Sequence, residues 1–465
     1  MDIRQGTEEF RGKRVLVAGL GISGAAAFEA LVRAGARLAV YDDRDIVSDD
    51  PALYKKLIAA QADCFLGGAD VPDENWDFMV TSPGVPPSVP AIERAYARGV
   101  KVIGELELAW RLGHGIFVAI TGTNGKTTTT SLVGEMLKDA GLKTIVAGNI
   151  GIAVVLKAMD ADDDTWLVTE VSSAQLETTE GFRPGIAALL NITPDHMDRH
   201  RTMENYSAAK ARIFANQEAD DVLVYNADDI LASAMAETAK ARRFPFSRVR
   251  ALSEGAYVSG GQIVLAPGGG RGAIPVIGAG ELLIPGAHNI ENALAAVSVA
   301  FAAGLGPESI ARTLKSFRGV EHRLEPVAEI EGVRFVNDSK GTNPDASIKA
   351  IEAVDSPILL IAGGYDKDAD FSEYIQAAKG RVRKFLLLGA TAEKIRDNAL
   401  AEGVLAEDLI MAGDMDEAVR AGYGLAAAGD TVLLSPACAS WDMYENFEER
   451  GAHFKAAVRR LGMSI

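Results

Sequence analysis

Glycines, a lysine and hydroxyl side chains occur together in TGTNGKTT, residues 121–128, in an order that suits phosphate chemistry. An apolar, strand-like run precedes this segment and a helix-like stretch follows it. At such a junction backbone amides can cradle phosphate oxygens, a lysine can reach the β and γ oxygens, and a threonine hydroxyl can bind Mg²⁺. The spacing departs from the usual P-loop, because two residues separate the glycines where about four are typical. The predicted nucleotide-phosphate residues are Gly122, Thr123, Asn124, Gly125, Lys126, Thr127 and Thr128.

Candidate metal ligands follow two later strands. Glu170 ends the run WLVTE, and the carboxyl ends of strands in open α/β sheets face the ligand crevice. We therefore expect Glu170 to share a Mg²⁺ ion with Thr127. The segment DHMDRH, residues 195–200, holds two of the six histidines. If it is helical, His196 and His200 could chelate zinc, but the glutamate of zinc peptidases is missing, so a role for His196 beside a second Mg²⁺ fits better.

A second glycine-rich loop, GLGISG at residues 19–24, follows the strand-like run RVLVA. The start of the next helix would offer free amides and a positive dipole to a diphosphate. Asp42 ends the following strand, where a carboxylate can accept ribose hydroxyls. The loop alone does not separate a nicotinamide cofactor from another nucleotide, and a turn without a ligand is the plain alternative. Lys210, by pattern alone, is typical of an exposed helix lysine.

Short apolar runs alternate with helical stretches along nearly the whole chain, which predicts parallel sheets in an α/β protein. We place three domains at residues 1–104, 105–319 and 320–465. The Gly/Pro-rich stretch Ala266–Ile274 is predicted as a surface loop or hairpin connection. The predicted strands are Arg14–Ala18, Arg37–Tyr41, Asp77–Thr81, Ile116–Thr121, Trp166–Glu170, Ile186–Ile192, Asp221–Tyr225, Arg334–Asn337, Ile358–Gly363, Lys384–Leu388 and Thr431–Leu434.

Composition narrows the class of protein. The formal charge of −17 argues against binding to nucleic acid or to anionic membranes. Two distant cysteines fit a reducing compartment, and the N-terminal residues do not form a signal peptide. The small apolar stretch Ala293–Gly306 is shorter than the roughly 20 residues that span a bilayer. We expect a cytoplasmic protein without membrane insertion.

Several motifs resemble those of the Mur ligase family of peptidoglycan synthesis, in the same order along the chain. They are TGTNGKT at 121–127, EVSSAQLE at 170–177, DHMDRH at 195–200, HNIENA at 288–293, HR at 322–323 and NDSKGTN at 337–343. Within the family, DHMDRH and the C-terminal LSPACAS at 434–440 are most similar to the members that add glutamate. The Asp-Asn-Pro-Arg motif of the members that add diaminopimelate or lysine is absent. Two departures are Ala174, where phenylalanine is common, and Tyr365-Asp366, where the family often has Asp-Gly.

The resemblance implies a Rossmann-like UDP-binding domain, a central P-loop ATPase-like parallel sheet and a C-terminal Rossmann-like domain. It implies an ATP-dependent ligase that joins D-glutamate to the L-Ala carboxylate of UDP-MurNAc-L-Ala, with two Mg²⁺ ions and a CO₂-derived carbamate on Lys210. A monomer is expected. A rarer relative adds L-glutamate, so the stereochemistry stays open.

The resemblance also assigns roles to single residues. Lys126, His196 and Lys210 are implied to be catalytic, and the implied metal ligands are Thr127, Glu170, His196 and the carbamate of Lys210. Besides the loop, ATP is assigned to Asn289, Asn292, Arg323, Asp338 and Lys340. The UDP substrate is assigned to Gly21, Ile22, Ser23, Asp42, Arg44, Ser82, Asn149 and His196. D-glutamate is assigned to Thr342, Lys367, Ser440 and Phe447.

Three other functions remain as alternatives. A nicotinamide dehydrogenase would use the first glycine loop but leaves Lys126, Glu170 and His196 unexplained. A P-loop GTPase or kinase does not account for the first loop or the third α/β region. A non-catalytic nucleotide-binding scaffold would have no need for the lysine, threonine, glutamate and histidine together.

Overall fold

The computed structural model describes residues 6–72, 75–149, 152–284 and 286–462. Within these ranges the chain forms three sheets flanked by helices, which confirms the predicted α/β class with three sheet-based domains. It divides into two compact units. The first contains Met1–Ile192, Thr202–Ile277 and Ala293–Thr313, and the second contains Thr193–Arg201, Gly278–Asn292 and Leu314–Ile465. The first two sheets lie in the first unit and the third sheet in the second unit. The exact domain ends given above stay a prediction.

The first sheet has the strand order of a Rossmann-type fold, β3-β2-β1-β4-β5, with all neighbours parallel. Order reverses between β1 and β4, and ligands bind at such a switch point in open α/β sheets. The strands are β1 (Arg14–Ala18), β2 (Arg37–Asp42), β3 (Asp63–Leu66), β4 (Phe78–Thr81) and β5 (Lys101–Gly104). The helices are α1 (Ile22–Arg33), α2 (Ile46–Asp49), α3 (Pro51–Ala59), α4 (Pro90–Ala97) and α5 (Glu105–Leu112).

The second sheet has nine strands in the order β14-β13-β12-β11-β10-β9-β6-β8-β7. Strands from β7 to β12 pair in parallel, and β12 and β13 form an antiparallel hairpin. The strands are β6 (Ile116–Thr121), β7 (Thr144–Gly148), β8 (Trp166–Glu170), β9 (Ile186–Leu189), β10 (Val222–Asn226), β11 (Arg242–Ser247), β12 (Gly255–Ser259), β13 (Gln262–Ala266) and β14 (Ile274–Gly278). The helices in this part of the chain are α6 (Lys126–Asp139), α7 (Val154–Met159), α8 (Ser173–Glu177), α9 (Met197–His200), α10 (Met203–Ala211), α11 (Ile230–Ala236), α12 (Ala287–Ala302) and α13 (Pro307–Ser316).

The third sheet has six strands in the order β15-β16-β20-β17-β18-β19, antiparallel only at β15–β16. The strands are β15 (Glu325–Ile330), β16 (Val333–Asn337), β17 (Ile358–Ala362), β18 (Val382–Leu387), β19 (Leu409–Met411) and β20 (Thr431–Leu434). The helices are α14 (Pro344–Ala353), α15 (Ser372–Ala378), α16 (Ala392–Ala401), α17 (Met415–Leu425) and α18 (Phe447–Gly462). Single 3₁₀ turns occur at Gly6–Glu9, Ala279–Glu281 and Ala406–Asp408.

The central strands are continuous apolar runs because helices cover both faces of a parallel sheet. Every residue of β17 is buried, and so are Phe117 to Ile120 in β6.

All eleven predicted strands are present, with ends shifted by a few residues, and Ala266–Ile274 connects β13 to β14 as predicted. The missed strands are short or lie towards the sheet edges, such as β3, β5, β7 and β19. None of the helices in the described part of the chain combines the length and apolarity that crossing a membrane requires.

The loop between β1 and α1 depends on one close backbone approach, which gives a testable prediction. A Cβ atom at Gly24 would lie 1.7 Å from the carbonyl oxygen of Gly19, whereas a Cβ atom at Gly21 would meet nothing within 4 Å. We expect Gly24→Ala to destabilise the fold by about 3 kcal/mol or more, because a rigid backbone atom cannot yield as a side chain can. Gly21→Ala, the matched control in the same loop, should cost less than about 1 kcal/mol. Denaturant midpoints of the two variants check this, and equal midpoints would contradict it.

Candidate functional site

The loop between β6 and α6 is held in one conformation by Asn191. The side-chain oxygen of Asn191 accepts the Asn124 N–H at 2.8 Å, and its amide nitrogen donates to the Asn124 carbonyl at 3.1 Å. Gly125 precedes the helix with φ +84°, a left-handed conformation that favours glycine. Lys126 Nζ donates to the carbonyl oxygens of Gly122 at 3.0 Å and Thr123 at 2.7 Å. The ammonium group therefore lies against the loop that is predicted to hold phosphate.

Glu170 joins two other predicted site residues at the carboxyl edge of the second sheet. Its side chain is buried, at the end of β8. Oε2 accepts the Thr127 hydroxyl at 2.7 Å, and Oε1 accepts the Asn149 side-chain amide at 3.0 Å. The structure thus brings together Thr127, Glu170 and Asn149. A carboxylate and a hydroxyl are hard oxygen donors, so this pair is chemically suited to Mg²⁺.

Lys210 is not an exposed helix lysine. It lies in α10 with only 1% of its surface exposed. Nζ donates to the Gly122 carbonyl at 2.9 Å, lies 3.5 Å from Thr121 Oγ1, and is 4.7 Å from the centre of the Tyr206 ring. Lys210 therefore packs against the phosphate loop, although the sequence pattern alone did not distinguish it from a surface lysine.

The first glycine loop is bound to neighbouring strand ends. Ser82 Oγ donates to the Gly19 carbonyl at 2.8 Å, and Asp42 accepts the Leu20 N–H at 2.6 Å. Arg44 Nε donates to the same Asp42 carboxylate at 3.0 Å. Burial opposes ionisation of Asp42, but hydrogen bonds from Arg44 and Leu20 hold its pKa below the usual value. Asp42 thus fixes both the loop and Arg44.

A cavity of about 440 Å³ lies at the mouth of this loop. Six of the eight residues predicted for the UDP substrate line it. A seventh, Arg44, does not line the cavity but donates a hydrogen bond to Asp42, which does. Gly148, Ala153 and Gln175 of the second-sheet region also contribute, so the cavity is bounded by residues of both sheets of the first unit. The six are Gly21, Ile22, Ser23, Asp42, Ser82 and Asn149.

His196 belongs to the second unit and lies just before α9, with φ +54°. The helix begins only at Met197, and His200 at its end is buried. The His200 N–H donates to the His196 carbonyl at 3.0 Å, so the two histidines lie one turn apart, although the His196 side chain is 42% exposed and that of His200 is not. The zinc pair considered above stays a prediction.

A second cavity, of about 380 Å³, lies within the second unit and is lined by Thr342 and Lys367. Lys367 Nζ forms a buried ion pair with Asp195 at 3.1 Å, and Asn343 Nδ2 donates to the other carboxylate oxygen at 3.0 Å. Burial raises the pKa of Asp195, but the charges of Lys367 and His196 outweigh burial and hold that pKa well below its usual range. Among the described residues that line this cavity, neither Ser440 nor Phe447 is present.

The other residues predicted for ATP in the second unit include a buried carboxyl group, that of Asp338. Asp338 accepts the Ser435 hydroxyl at 2.8 Å and the Leu324 N–H at 3.2 Å, and burial raises its pKa to about 6. The charge of Arg323 acts in the opposite direction on this pKa. Lys340 Nζ lies 4.4 Å from the centre of the Phe447 ring. Near the start of α12, Asn292 donates to Asn289 at 3.0 Å.

Sequence reasoning missed Arg450. This residue of α18 is buried, and its guanidinium group donates to Ser339 Oγ at 3.0 Å, the Ser339 carbonyl at 2.7 Å and the Cys438 carbonyl at 3.0 Å. Burial lowers its pKa to about 10. Arg450 thereby links the NDSKGTN and LSPACAS motifs. An arginine in an amphipathic helix ordinarily faces solvent, so the sequence carried no signal for it.

Family comparisons agree with this geometry along most of the chain. Residues 13–104 match the model described as "Mur ligase MurD-like, N-terminal domain", residues 120–300 match "Mur ligase middle domain", and residues 322–438 match "Mur ligase, glutamate ligase domain". The chain belongs to the Mur ligase family. The resemblance drawn from the motifs is therefore confirmed.

One relative supports the same family assignment for this Mur ligase, and two solved structures share its fold. It is 49% identical to the UDP-N-acetylmuramoylalanine--D-glutamate ligase of Thermoanaerobacter sp. (strain X514) over 460 residues, covering 97% of this chain and 99% of that protein. The crystal structure of MurF from Acinetobacter baumannii shares the fold with a TM-score of 0.61 at 16% identity, covering 95% of this chain and 93% of that one. MurF from Thermotoga maritima, solved with ADP, has a TM-score of 0.57 at 17% identity, covering 98% and 97%.

The buried ion pair of this Mur ligase gives a stability prediction. Asp195→Asn should destabilise the second unit by about 3–5 kcal/mol at pH 7, because Lys367 would be left buried without its partner. Asp345→Asn, which lines the same cavity but removes a less buried pair with Lys349, should cost less than about 1 kcal/mol.

The pH dependence of this effect has a definite sign. A carboxyl with a depressed folded pKa stabilises the protein fully above its ordinary value of 3.8, and that stability is lost as the pH falls towards the folded pKa. The difference between wild type and Asp195→Asn in denaturant midpoint should therefore shrink below pH 3.8. A difference that grows on acidification would contradict the assignment.

Proposed function

We propose that this Mur ligase joins D-glutamate to the L-Ala carboxylate of UDP-MurNAc-L-Ala, with conversion of ATP to ADP and phosphate, in the synthesis of peptidoglycan precursors. The observation that carries the proposal is the 49% identity, over 97% of this chain, to a protein named UDP-N-acetylmuramoylalanine--D-glutamate ligase. ATP as the phosphoryl donor is supported by the loop that carries Lys126 and by the ADP complex of a structural neighbour.

The chemistry explains why such a site is needed. A carboxylate is a poor electrophile, so an oxygen of the L-Ala carboxylate first attacks the γ-phosphorus of ATP and ADP leaves. The amine of glutamate, after loss of a proton, then adds to the acyl carbon of the resulting acyl phosphate. The tetrahedral intermediate collapses with expulsion of phosphate, and an amide bond is formed. Both substrates of the first step are anions, so their repulsion must be cancelled locally.

Residues of the second-sheet edge suit that task. Lys126 and the loop amides supply positive charge and hydrogen-bond donors, and Asn191 keeps the loop in place without reorganisation. We assign Mg²⁺ to Thr127 and Glu170, where it would neutralise phosphate charge. We retain His196 as a proposed ligand of a second Mg²⁺, and we propose a carbamate on Lys210, whose oxygens would suit a metal ion. The carbamate forms when a neutral Lys210 amine adds to CO₂ and releases a proton.

The first cavity suits the UDP part of the substrate. Its residues Gly21, Ile22 and Ser23 lie at the start of α1, where backbone amides can meet a diphosphate. Asn149 links this cavity to Glu170, because Asn149 lines the cavity and donates a hydrogen bond to the Glu170 carboxylate. The sugar-peptide end of a substrate bound here would therefore be directed towards the phosphate loop.

The glutamate site requires an exchange of ionic partners. Lys367 is the cation we assign to a glutamate carboxylate, together with Thr342, and it is held by Asp195. The amino acid's carboxylate would replace Asp195 at Lys367, while Asn343 and the His196 N–H continue to satisfy Asp195. We retain Ser440 and Phe447 for the second carboxylate of glutamate, and Asn289, Asn292, Arg323, Asp338 and Lys340 for ATP.

Three further assignments belong to the same proposal. Domains at 1–104, 105–319 and 320–465 are supported by the family models, which cover 13–104, 120–300 and 322–438. A cytoplasmic location is proposed because the reaction consumes ATP. A monomer is also proposed, and light scattering tests it.

Phosphate release tests the function directly. We expect release from ATP only when Mg²⁺, UDP-MurNAc-L-Ala and D-glutamate are all present, with L-glutamate, L-alanine and diaminopimelate at least about tenfold slower. Lys126→Ala should abolish release while leaving UDP-MurNAc-L-Ala binding nearly unchanged. No ATP consumption with any amino acid would overturn the proposal, and a preference for L-glutamate would overturn the stereochemistry.

Lys210 provides a separate test of the carbamate. Lys210→Ala should lower kcat by about 100-fold or more, and added acetate or propionate should restore part of it by supplying the missing carboxylate. The matched control is Lys143→Ala, which removes an exposed lysine paired with Asp162 and should not respond to acetate. Rescue of neither variant, together with an absence of the carbamate carbon signal in ¹³CO₂-labelled protein, would remove the carbamate from the mechanism.

A further inference from the structure

Glu105 is a buried carboxyl group that the proposed chemistry does not use. It is the first residue of α5, directly after β5, with 2% of its surface exposed. Its position is fixed by its neighbour, since the Gly104 N–H donates to the Thr178 carbonyl at 3.0 Å. A Cβ atom at Gly104 would lie 2.2 Å from Thr178 Oγ1. The backbone at Gly104 therefore packs so closely against Thr178 that it leaves no room for a side chain.

The carboxyl group of Glu105 contacts the start of α7. Oε1 accepts the Val155 N–H at 2.6 Å, and the amide of Val154 also acts on this carboxyl. Oε2 is buried and has no hydrogen-bond partner among the described residues. Burial raises the pKa of Glu105 to about 7, against the two amides, which lower it. A buried carboxyl group with one unpartnered oxygen destabilises the folded protein. Proteins carry such destabilising features at functional sites.

The start of α7 forms part of the wall of the first cavity. Ala153, the residue before α7, lines the cavity together with Gly148 and Asn149. The Gly148 N–H donates to the Ile152 carbonyl at 2.8 Å, which ties the end of β7 to the residue before Ala153. Glu105 holds Val154 and Val155, the next residues along the chain. The wall is thus fixed at one end by β7 and at the other by Glu105.

We propose that Glu105 is a positioning residue for the nucleotide-sugar substrate, which acts by holding the start of α7 so that Ala153 and Asn149 keep the shape of the first cavity. The assignment rests on the proposed function, because it takes that cavity as the UDP-MurNAc-L-Ala site. The regions of the first and second sheets both form walls of this cavity. Glu105 connects these two regions, because it follows β5 of the first sheet and accepts a hydrogen bond from α7 of the second-sheet region.

Substitutions at Glu105 separate positioning from simple stabilisation. Glu105→Ala should raise KM for UDP-MurNAc-L-Ala about tenfold while changing kcat and the KM for ATP and D-glutamate less than twofold. Glu105→Gln keeps an oxygen that accepts the Val155 N–H and resembles the protonated acid, so it should return KM to within about threefold of wild type. Glu105→Asp is one methylene shorter and should behave like alanine; it carries the test if the alanine variant does not fold.

Glu107→Gln is the matched control. Glu107 is also buried on α5, but it accepts hydrogen bonds from the Gly181 N–H, the Phe182 N–H and Arg111 Nε, and none of these partners lies in α7. This variant should lose stability without a selective change in KM for the nucleotide sugar. A uniform change in all three KM values at Glu105→Ala and Glu105→Asp, or no change in either, would overturn the positioning role.

Calorimetric titration of UDP-MurNAc-L-Ala into each protein without ATP supplies a readout that does not depend on turnover. If wild type binds the nucleotide sugar but releases no phosphate with any amino acid, the proposed reaction fails while the positioning role is still decided by the dissociation constants. A tenfold weaker binding in Glu105→Ala and Glu105→Asp supports the role, and unchanged binding overturns it.

Discussion

Repulsion between anions is the constraint on which the arrangement of this Mur ligase depends. The chain itself carries a net charge of −17, and its proposed substrates are all anionic. Positive charge therefore has to be concentrated at particular points, and the fold does so at the carboxyl edges of parallel strands. Lys126 lies against its own loop, and Lys210 lies behind it in a buried wall. Neither arrangement depends on the net field of the protein.

Cations assigned to substrate anions are also held by the protein's own acceptors. Lys367 pairs with Asp195, and Arg44 pairs with Asp42. A buried lysine without a partner would be destabilising, so the internal carboxylate pairs with Lys367 and holds it in place until a ligand arrives. A ligand anion must then compete with the internal carboxylate, because it has to replace an existing ion pair. Part of the binding energy of the amino acid is thus spent on the exchange, which favours a ligand with a well-placed carboxylate.

Local sequence rules reached the parts of the site that one loop builds on its own. The phosphate loop with Lys126 and the strand-terminal Glu170 followed from residue order and from the direction of parallel strands. The burial of Lys210, the ion pair between Asp195 and Lys367, and the role of Arg450 could not be predicted this way. Each of these residues has at least one partner far away along the chain: Gly122 is 88 residues from Lys210, Asp195 is 172 from Lys367, and Ser339 is 111 from Arg450. Only the packed tertiary structure brings these pairs together.

Glu105 illustrates the same limit in a residue with no catalytic task. In the sequence it is one of several glutamates in a helix, and nothing in its spacing marks it. Its partner amide lies 50 residues away, and its burial makes the carboxyl difficult to ionise. A side chain of this kind fixes one wall of the cavity, which belongs to the second-sheet region, relative to the first sheet. A multi-sheet unit that binds one extended ligand needs such links, because each sheet alone fixes only its own edge of the binding site.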